Sequence, residues 1–104
     1  MAGVNMNRRV TLETVVRSPD GAGGFSESWQ SLGALWAGVE AVGSVTPRAR
    51  ITLRALPATS LARPEPGQRL REGSRLYYLR HVVENARNSR LLICLADIVG
   101  GDAP

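Results

Sequence analysis

Few side chains in this sequence could perform chemistry. Nucleophilic catalysis needs a base beside a serine or cysteine, and the single histidine, His81, lies inside a predicted strand. Ser74 follows Gly73 but lacks the glycine pattern of a hydrolase elbow. Glu13 and Glu40 could meet across strands, although solvated carboxylates are commoner than catalytic pairs. No spacing of ligand residues fits a metal site, so the sequence predicts a protein that is not an enzyme and needs no cofactor.

The phosphate-binding glycine motifs are also missing. Gly21, Ala22 and Gly23 begin like a dinucleotide fingerprint, but Ser26 occupies the next glycine position and no predicted helix follows. A Walker loop is excluded because the chain contains no lysine to bind the phosphates. Cys94 is the single cysteine, so no disulfide can form within the chain. These features predict turns and a packed thiol rather than a nucleotide or redox site.

The basic residues are all arginine. They number 13 and give a net charge of +4, which favours anionic partners. Arginine makes forked contacts to phosphate or carboxylate, as DNA and interface ion pairs require. A GC-rich genome, whose codon usage favours arginine over lysine, would produce the same composition even if the arginines had no function. The charge is therefore compatible with DNA contact but does not establish it.

The aromatic residues argue against recognition of single-stranded nucleic acid. Such proteins stack bases on exposed rings, whereas these aromatics fall mostly at core-like strand positions. They are Phe25, Trp29, Trp36, Tyr77 and Tyr78. No segment approaches the roughly 18 apolar residues that a membrane span needs, and no membrane partner is expected.

Alternating apolar and polar residues, separated by glycine and proline, predict β-strands along the whole chain. No segment keeps a helical period, and the length suits one domain over residues 1–104. We therefore predict an all-β fold, a small barrel or sandwich of six to seven short antiparallel strands with long loops. The predicted strands cover residues 9–17, 25–29, 35–42, 51–56, 69–71, 76–83 and 90–99, with the second and third either separate or one strand bent near Gly33. The predicted loops cover residues 18–24, 43–50, 57–68 and 85–89.

A series of weak motifs spans residues 8 to about 96. In order they are RVTLE, Asp20, Gly23 and Gly24, Trp29, the strand that begins at Trp36, ITLRA, Gly73, Tyr78, and RLLICLA with Cys94 inside it. Their order and spacing resemble the head-tail joining, or stopper, proteins of long-tailed bacteriophages and phage-like gene transfer agents. The connection from Val42 to Ile51 is shorter than is usual in that family, and the proline-rich segment 57–68 is longer.

The resemblance implies a small β-barrel that forms a ring, of about six copies, in the neck of a virion or phage-like particle. The ring would lie between a portal-adaptor protein above and a tail terminator or other tail component below. Double-stranded DNA would pass through its lumen without sequence specificity, and assembly would occur in the cytoplasm of the bacterial host. A connector that adapts rather than closes the channel is the alternative within this reading.

The resemblance also implies site residues. Arg48, Arg50 and Arg54 are expected to face the channel and the DNA; alternatively they are solvated or pair with glutamates of a neighbour. Contacts between subunits or adjacent rings are expected at Asp20, Gly23, Gly24, Phe25, Leu61 and Arg63. Flexible surface loops without a partner are the competing interpretation of those positions. The alternative function is a free-standing basic β-barrel that binds nucleic acid, with a steep salt dependence, or a protein partner.

Overall fold

The alternation of apolar and polar residues builds six strands. The computed structural model describes residues 5–43, 47–57, 59–60 and 62–100, and this part of the chain contains no helix. The strands are β1 (Arg8–Pro19), β2 (Phe25–Val42), β3 (Arg48–Arg54), β4 (Arg69–Glu72), β5 (Arg75–Glu84) and β6 (Leu91–Gly100). The prediction of an all-β fold is confirmed.

The strands form a closed barrel rather than a sandwich. Their order around the barrel is β1-β2-β3-β6-β5-β4, and every pair is antiparallel. The barrel closes where Thr11–Glu13 of β1 pairs with Arg69–Arg71 of β4. Closure satisfies the backbone groups that an open sheet would leave at its edges.

Side chains from every second position of the strands point inward, fill the barrel and form its core. In β3, Ala49, Ile51 and Leu53 are buried and the arginines between and beside them are exposed, as the two-residue period of a strand requires. The innermost side chains are aliphatic apart from Tyr77 and Cys94. Burial raises the pKa of the Cys94 thiol to about 12, so this group is a packing residue and a poor nucleophile.

Tyr77 reaches a polar group although its ring is buried. Its hydroxyl donates a hydrogen bond of 2.9 Å to Glu72 Oε1. Arg8 donates to both oxygens of the same carboxylate, with its Nε 2.5 Å from Oε2. The network links the start of β1 to the end of β4, and it satisfies a phenol that would otherwise be costly to bury.

β2 changes face in its middle. Leu12 pairs with Gly33 whereas Glu13 pairs with Ser31, so Leu32 is an extra residue in a β-bulge. Gly33 has φ +139°, a value that other residues rarely adopt. The break predicted near Gly33 is therefore a bulge within one bent strand. It puts odd-numbered residues before the bulge and even-numbered residues after it on the same outer face.

β1 and β2 extend beyond the barrel. Residues 14–19 of β1 pair with residues 25–30 of β2 and with no other strand of the described chain. We call these two segments and the turn between them the projecting hairpin. It contributes to an elongated molecule of 56 × 38 × 21 Å.

Two predictions about the loops are corrected or refined by the structure. The loop predicted over residues 43–50 is wrong at its end, because Ala49 packs in the core and Arg48 already pairs with Val42 and Asp97. The described part of segment 57–68 is irregular, as predicted, but it is anchored to β5. Gln68 accepts a hydrogen bond from the Leu79 amide, and the Gly67 amide donates to the Leu79 carbonyl.

Candidate functional site

The outer surface of β3 carries the arginines expected to contact DNA. Arg48, Arg50 and Arg54 are exposed and point away from the core on one face of the strand. At a rise of about 3.3 Å per residue, Arg48 and Arg50 lie about 7 Å apart, and Arg54 about 13 Å further along. The structure thus brings the three together on a rigid strand rather than on a loop tip. We call this surface the arginine face.

Asp97 of β6 organises one end of the arginine face. Its carboxylate lies 3.8 Å from Arg48 Nε and accepts a 2.6 Å hydrogen bond from Arg80 Nε of β5. His81 follows Arg80, and these side chains help to line a pocket of about 440 Å³. Because two guanidinium groups share one carboxylate, the local charge stays positive. Sequence reasoning missed Arg80, since the register shift in β5 that places it beside Asp97 has no clear sequence signal.

The middle of the arginine face has unneutralised charge. Arg50 is opposite Glu40 in β2 and Leu95 in β6, yet within the described ranges neither Arg50 nor Arg54 forms an ion pair. Glu13 and Glu40 do not meet across the strands, because Glu13 lies opposite Ser31 and Glu40 lies opposite Arg50. The arrangement suits weak contacts to phosphates rather than a tight, specific site.

The residues expected at an interface gather mostly at the tip of the projecting hairpin. Asp20 Oδ1 accepts hydrogen bonds from the amides of Ala22 and Gly24, at 2.8 and 3.1 Å. Gly23 has φ +87°, so glycine is favoured there. Phe25 follows this ordered turn and is 67% exposed. The turn therefore presents an apolar group to whatever approaches it.

Leu61 and Arg63 were also expected at an interface. Arg63 is half-buried, and its guanidinium donates a hydrogen bond to the carbonyl of Leu56, so its described contact is within the chain. Leu61 lies outside the described residues.

The burial predicted for the aromatic residues is only partly right. Tyr77 is buried and Trp29 is half-buried against Tyr78, with ring centroids 6.0 Å apart. Phe25 and Trp36 are exposed, because the β2 bulge places both on the outer face of the strand. The Arg9 guanidinium lies 5.1 Å from the centroid of the Trp36 ring, a cation–π distance.

An ion-pair cluster at the base of the projecting hairpin was not anticipated. Arg69 Nε and Arg71 Nε donate to the two oxygens of Glu13, at 2.6 and 2.9 Å. The Arg69 guanidinium also lies 4.1 Å from the Trp29 ring centroid and contacts Tyr78. We call these five residues the hairpin brace. Strand alternation alone predicts Glu13 as a solvated residue, so no sequence signal identifies the brace.

The brace controls the ionisation of Glu13. Burial by itself would raise the pKa of this carboxyl, but the hydrogen bonds from Arg69 and Arg71 outweigh burial and lower the pKa below its ordinary value. Glu13 is 6% exposed, so its charge needs both partners. Its role is to hold the hairpin against β4 and β5.

An apolar pocket of about 610 Å³ lies beside Trp36. Met6, Leu35, Leu53 and Leu56 supply apolar lining, and Arg54 reaches its rim. Sequence reasoning missed this pocket because its lining comes from three separated segments of the chain. Among the residues described, no group of three His, Cys, Asp or Glu side chains could hold a metal ion, and no helix could cross a membrane.

Comparisons with known proteins agree with the barrel. No curated protein sequence matches the chain. A chain of the virion of a native gene transfer agent particle is 36% identical, with a TM-score of 0.74, over 93% of this chain and 98% of that one. Protein SF1141 from Shigella flexneri 2a has a TM-score of 0.72 at 18% identity, over 93% and 96%, and supports the fold alone.

The family comparison covers almost the whole sequence. The profile of the phage head completion proteins matches residues 1–99. Together with the virion chain of the gene transfer agent, this match confirms the resemblance to head-tail joining proteins. The chain belongs to the phage head completion protein family.

Proposed function

We propose that this chain acts as one domain that forms a ring in the virion neck, joins the DNA-filled head to the tail, and closes or lines the DNA channel as a stopper. The observation that carries the proposal is the 36% identity to a virion chain over nearly the full length of both proteins. A ring of about six copies would contact a portal-adaptor protein above and a tail component below, after assembly in the host cytoplasm.

The arginine face is the proposed DNA-contacting surface. DNA moving through a channel needs weak contacts without sequence preference, because tight phosphate binding at each step would stall it. Arg50 and Arg54 are exposed guanidinium groups without an ion pair in the described chain, and Arg48 shares Asp97 with Arg80. Such groups can touch phosphates transiently and return to water at little cost.

The tip of the projecting hairpin is the proposed contact with neighbouring subunits or rings. Asp20 orders the turn, and Phe25 supplies the apolar anchor. The positive φ of Gly23 favours glycine, and a Cβ at Gly24 would lie 2.8 Å from Asp20 Oδ2. Arg63 and Leu61 belong to the proposed interface as well, with Arg63 positioned by Leu56. An isolated two-stranded ribbon is marginally stable in water, so a partner surface would stabilise this extension.

The first experiment removes the gene from the producing strain and images the particles by electron microscopy. We expect heads that lack tails and have lost DNA, with normal particles restored when the gene is supplied in trans. Normal tailed, DNA-filled particles without this protein would overturn the proposal. Tight DNA binding by a purified monomer, with a steep decrease as salt rises, would instead favour the free-standing basic barrel.

The second experiment tests the arginine face separately. Arg48→Gln with Arg50→Gln should leave tailed particles intact but reduce DNA delivery per particle by about two- to tenfold, since two phosphate contacts are lost. Arg87→Gln with Arg90→Gln removes the same charge from exposed positions between β5 and β6 and serves as the matched control. Equal delivery by the two variants would exclude the arginine face as the DNA contact.

A further inference from the structure

Phe25 and the apolar pocket beside Trp36 are complementary in size and chemistry. Phe25 is 67% exposed at a turn whose shape is fixed by Asp20, so the ring is presented in an ordered position. The pocket is about 610 Å³, within the range of about 300–1,000 Å³ typical of pockets that enclose a small ligand. Its lining is mostly apolar, which suits a phenyl ring.

A single chain cannot bring the two together. Phe25 and the pocket residues Ala34–Trp36 belong to the same strand, β2. Phe25 pairs with Pro19 and Ala34 with Thr11, eight positions away along β1, so at about 3.3 Å per residue the two lie about 26 Å apart. The pocket can therefore receive Phe25 only from another copy of the chain.

Charge favours that pairing. The hairpin tip carries Asp20 and Glu27 against one arginine, Arg17, which pairs with Glu27 at 2.9 Å. Arg54 also lines the pocket and Arg9 lies over Trp36, and neither arginine has an ion pair within the described chain. A net negative tip is therefore complementary to a positive pocket, and such complementarity steers association and disfavours contact between two tips.

We propose that Phe25 of one copy inserts into the pocket formed by Met6, Leu35, Trp36, Leu53 and Leu56 of a second copy. The contact is head-to-tail, because each chain offers one knob and one pocket at different places. Repeated contacts of this kind generate a closed ring when the rotation between copies closes, and a fibre when it does not. The inference rests on the proposed ring and names the contact that would build it.

Disulfide trapping in the purified full-length protein tests the contact even when association is weak. The double variant Ser26→Cys with Ala34→Cys keeps the Phe25 ring and should, on mild oxidation, give a ladder of covalent dimers, trimers and larger species whose yield rises with protein concentration. An intrachain bond is excluded by the separation along β2, since bridged Cα atoms lie about 4.4–6.8 Å apart. Cys94 is buried and should not contribute.

The single variants decide whether the contact is head-to-tail. A mixture of Ser26→Cys and Ala34→Cys chains, tagged to differ in size, should give one mixed dimer and no longer species. Adding Trp36→Asp to the double variant should reduce the cross-linked fraction at least about tenfold, because it places a charge in the pocket. Val83→Asp changes a residue that is also 54% exposed, on the outer face of β5, and should leave the ladder unchanged.

Absence of the ladder, or an equal ladder from Ser26→Cys paired with Val83→Cys, would overturn the proposed contact. The proposed neck function is judged separately, by whether particles made without the gene lose their tails. If a strain needs the protein to make tailed particles, but no ladder forms in solution or in particles oxidised before analysis, the proposed function stands and this contact is rejected. A ladder formed by a protein that particles do not need would support this contact and reject the proposed neck function.

Discussion

Glu13 shows how one buried carboxylate can fix the position of a long hairpin. Its two oxygens accept hydrogen bonds from Arg69 and Arg71, and Arg69 in turn lies against Trp29. The side chain of Arg69 is 15% exposed, so this guanidinium has lost most of its water. Removing the carboxylate would leave that charge buried without a partner, which costs more than the pair contributes when intact.

We predict that Glu13→Gln lowers the free energy of unfolding by about 2–4 kcal/mol, the range for breaking a largely buried ion pair. Denaturant unfolding followed by far-ultraviolet circular dichroism measures it. Glu84→Gln is the matched control, because Glu84 is exposed and forms no ion pair in the described chain, and it should change stability by less than about 0.5 kcal/mol. Equal effects of the two substitutions would show that the brace contributes no stability.

Acid should act through the same residue. The folded-state pKa of Glu13 lies below its ordinary value of 4.5, and so does that of Glu72, chiefly because Arg8 donates to it. A carboxyl group whose pKa is lowered by folding contributes stability that is fully present above pH 4.5 and is lost as the pH falls through the folded-state pKa. Unfolding free energy should therefore decline below about pH 4.5, and Glu13→Gln should flatten part of that decline. A parallel decline in the variant would contradict this assignment.

At the scale of the element, the β2 bulge decides what the outer surface presents. Without the extra residue at Leu32, Trp29 and Trp36 would face opposite sides of the strand. With it, Trp29 reaches the hairpin brace while Trp36 stays beside the apolar pocket. One residue inserted in one strand thus positions both the brace and the proposed receptor for Phe25.

Gly33 permits this bulge through its backbone. Its φ is +139°, and a methyl group added there would meet no atom within 4 Å, so the cost of a side chain is conformational rather than steric crowding. We predict that Gly33→Ala destabilises the protein by about 1–3 kcal/mol, measured by denaturant unfolding. Ser31→Ala, at an exposed position two residues away, should change stability by less than about 0.5 kcal/mol. Equal stability of both variants would mean that the bulge relaxes without cost.

At the scale of the whole molecule, the strands of the closed barrel have more neighbouring strands than the strands of the projecting hairpin. Each strand of the barrel has two neighbours, whereas residues 14–19 and 25–30 pair only with each other among the described strands. Stability should therefore be uneven along β1 and β2. This unevenness would let the hairpin adjust to a partner while the barrel stays intact.

We predict that backbone amides near the hairpin tip exchange with solvent at least about a hundredfold faster than those of β3 and β6, since fewer buried contacts oppose local opening. Native-state hydrogen exchange followed by mass spectrometry measures this difference in the purified protein. Circular dichroism and tryptophan fluorescence should nevertheless give one common unfolding midpoint for the barrel. Uniform protection along β2 would contradict the division into barrel and hairpin.

The sequence by itself determined the type of fold and the family. Alternation in residues 9–17 and 76–83, with glycine and proline between the strands, is a local property and predicts strands without knowledge of their neighbours. The absence of lysine and of catalytic spacings likewise needs no structure. The motif order that ends in RLLICLA indicated the family, because a family pattern is carried by the order of residues along the chain.

Only the tertiary structure decided which residues meet. Closure of β1 on β4 joins Glu13 to Arg69 across 56 positions, and no alternation rule contains such a pairing. Trp36 was predicted to be buried from its strand position, but the bulge exposes it. One extra residue in a strand reverses the face of every residue beyond it. Pairing of distant strands fixes these contacts because register depends on the packing of the whole barrel, whereas strand propensity depends only on neighbouring residues.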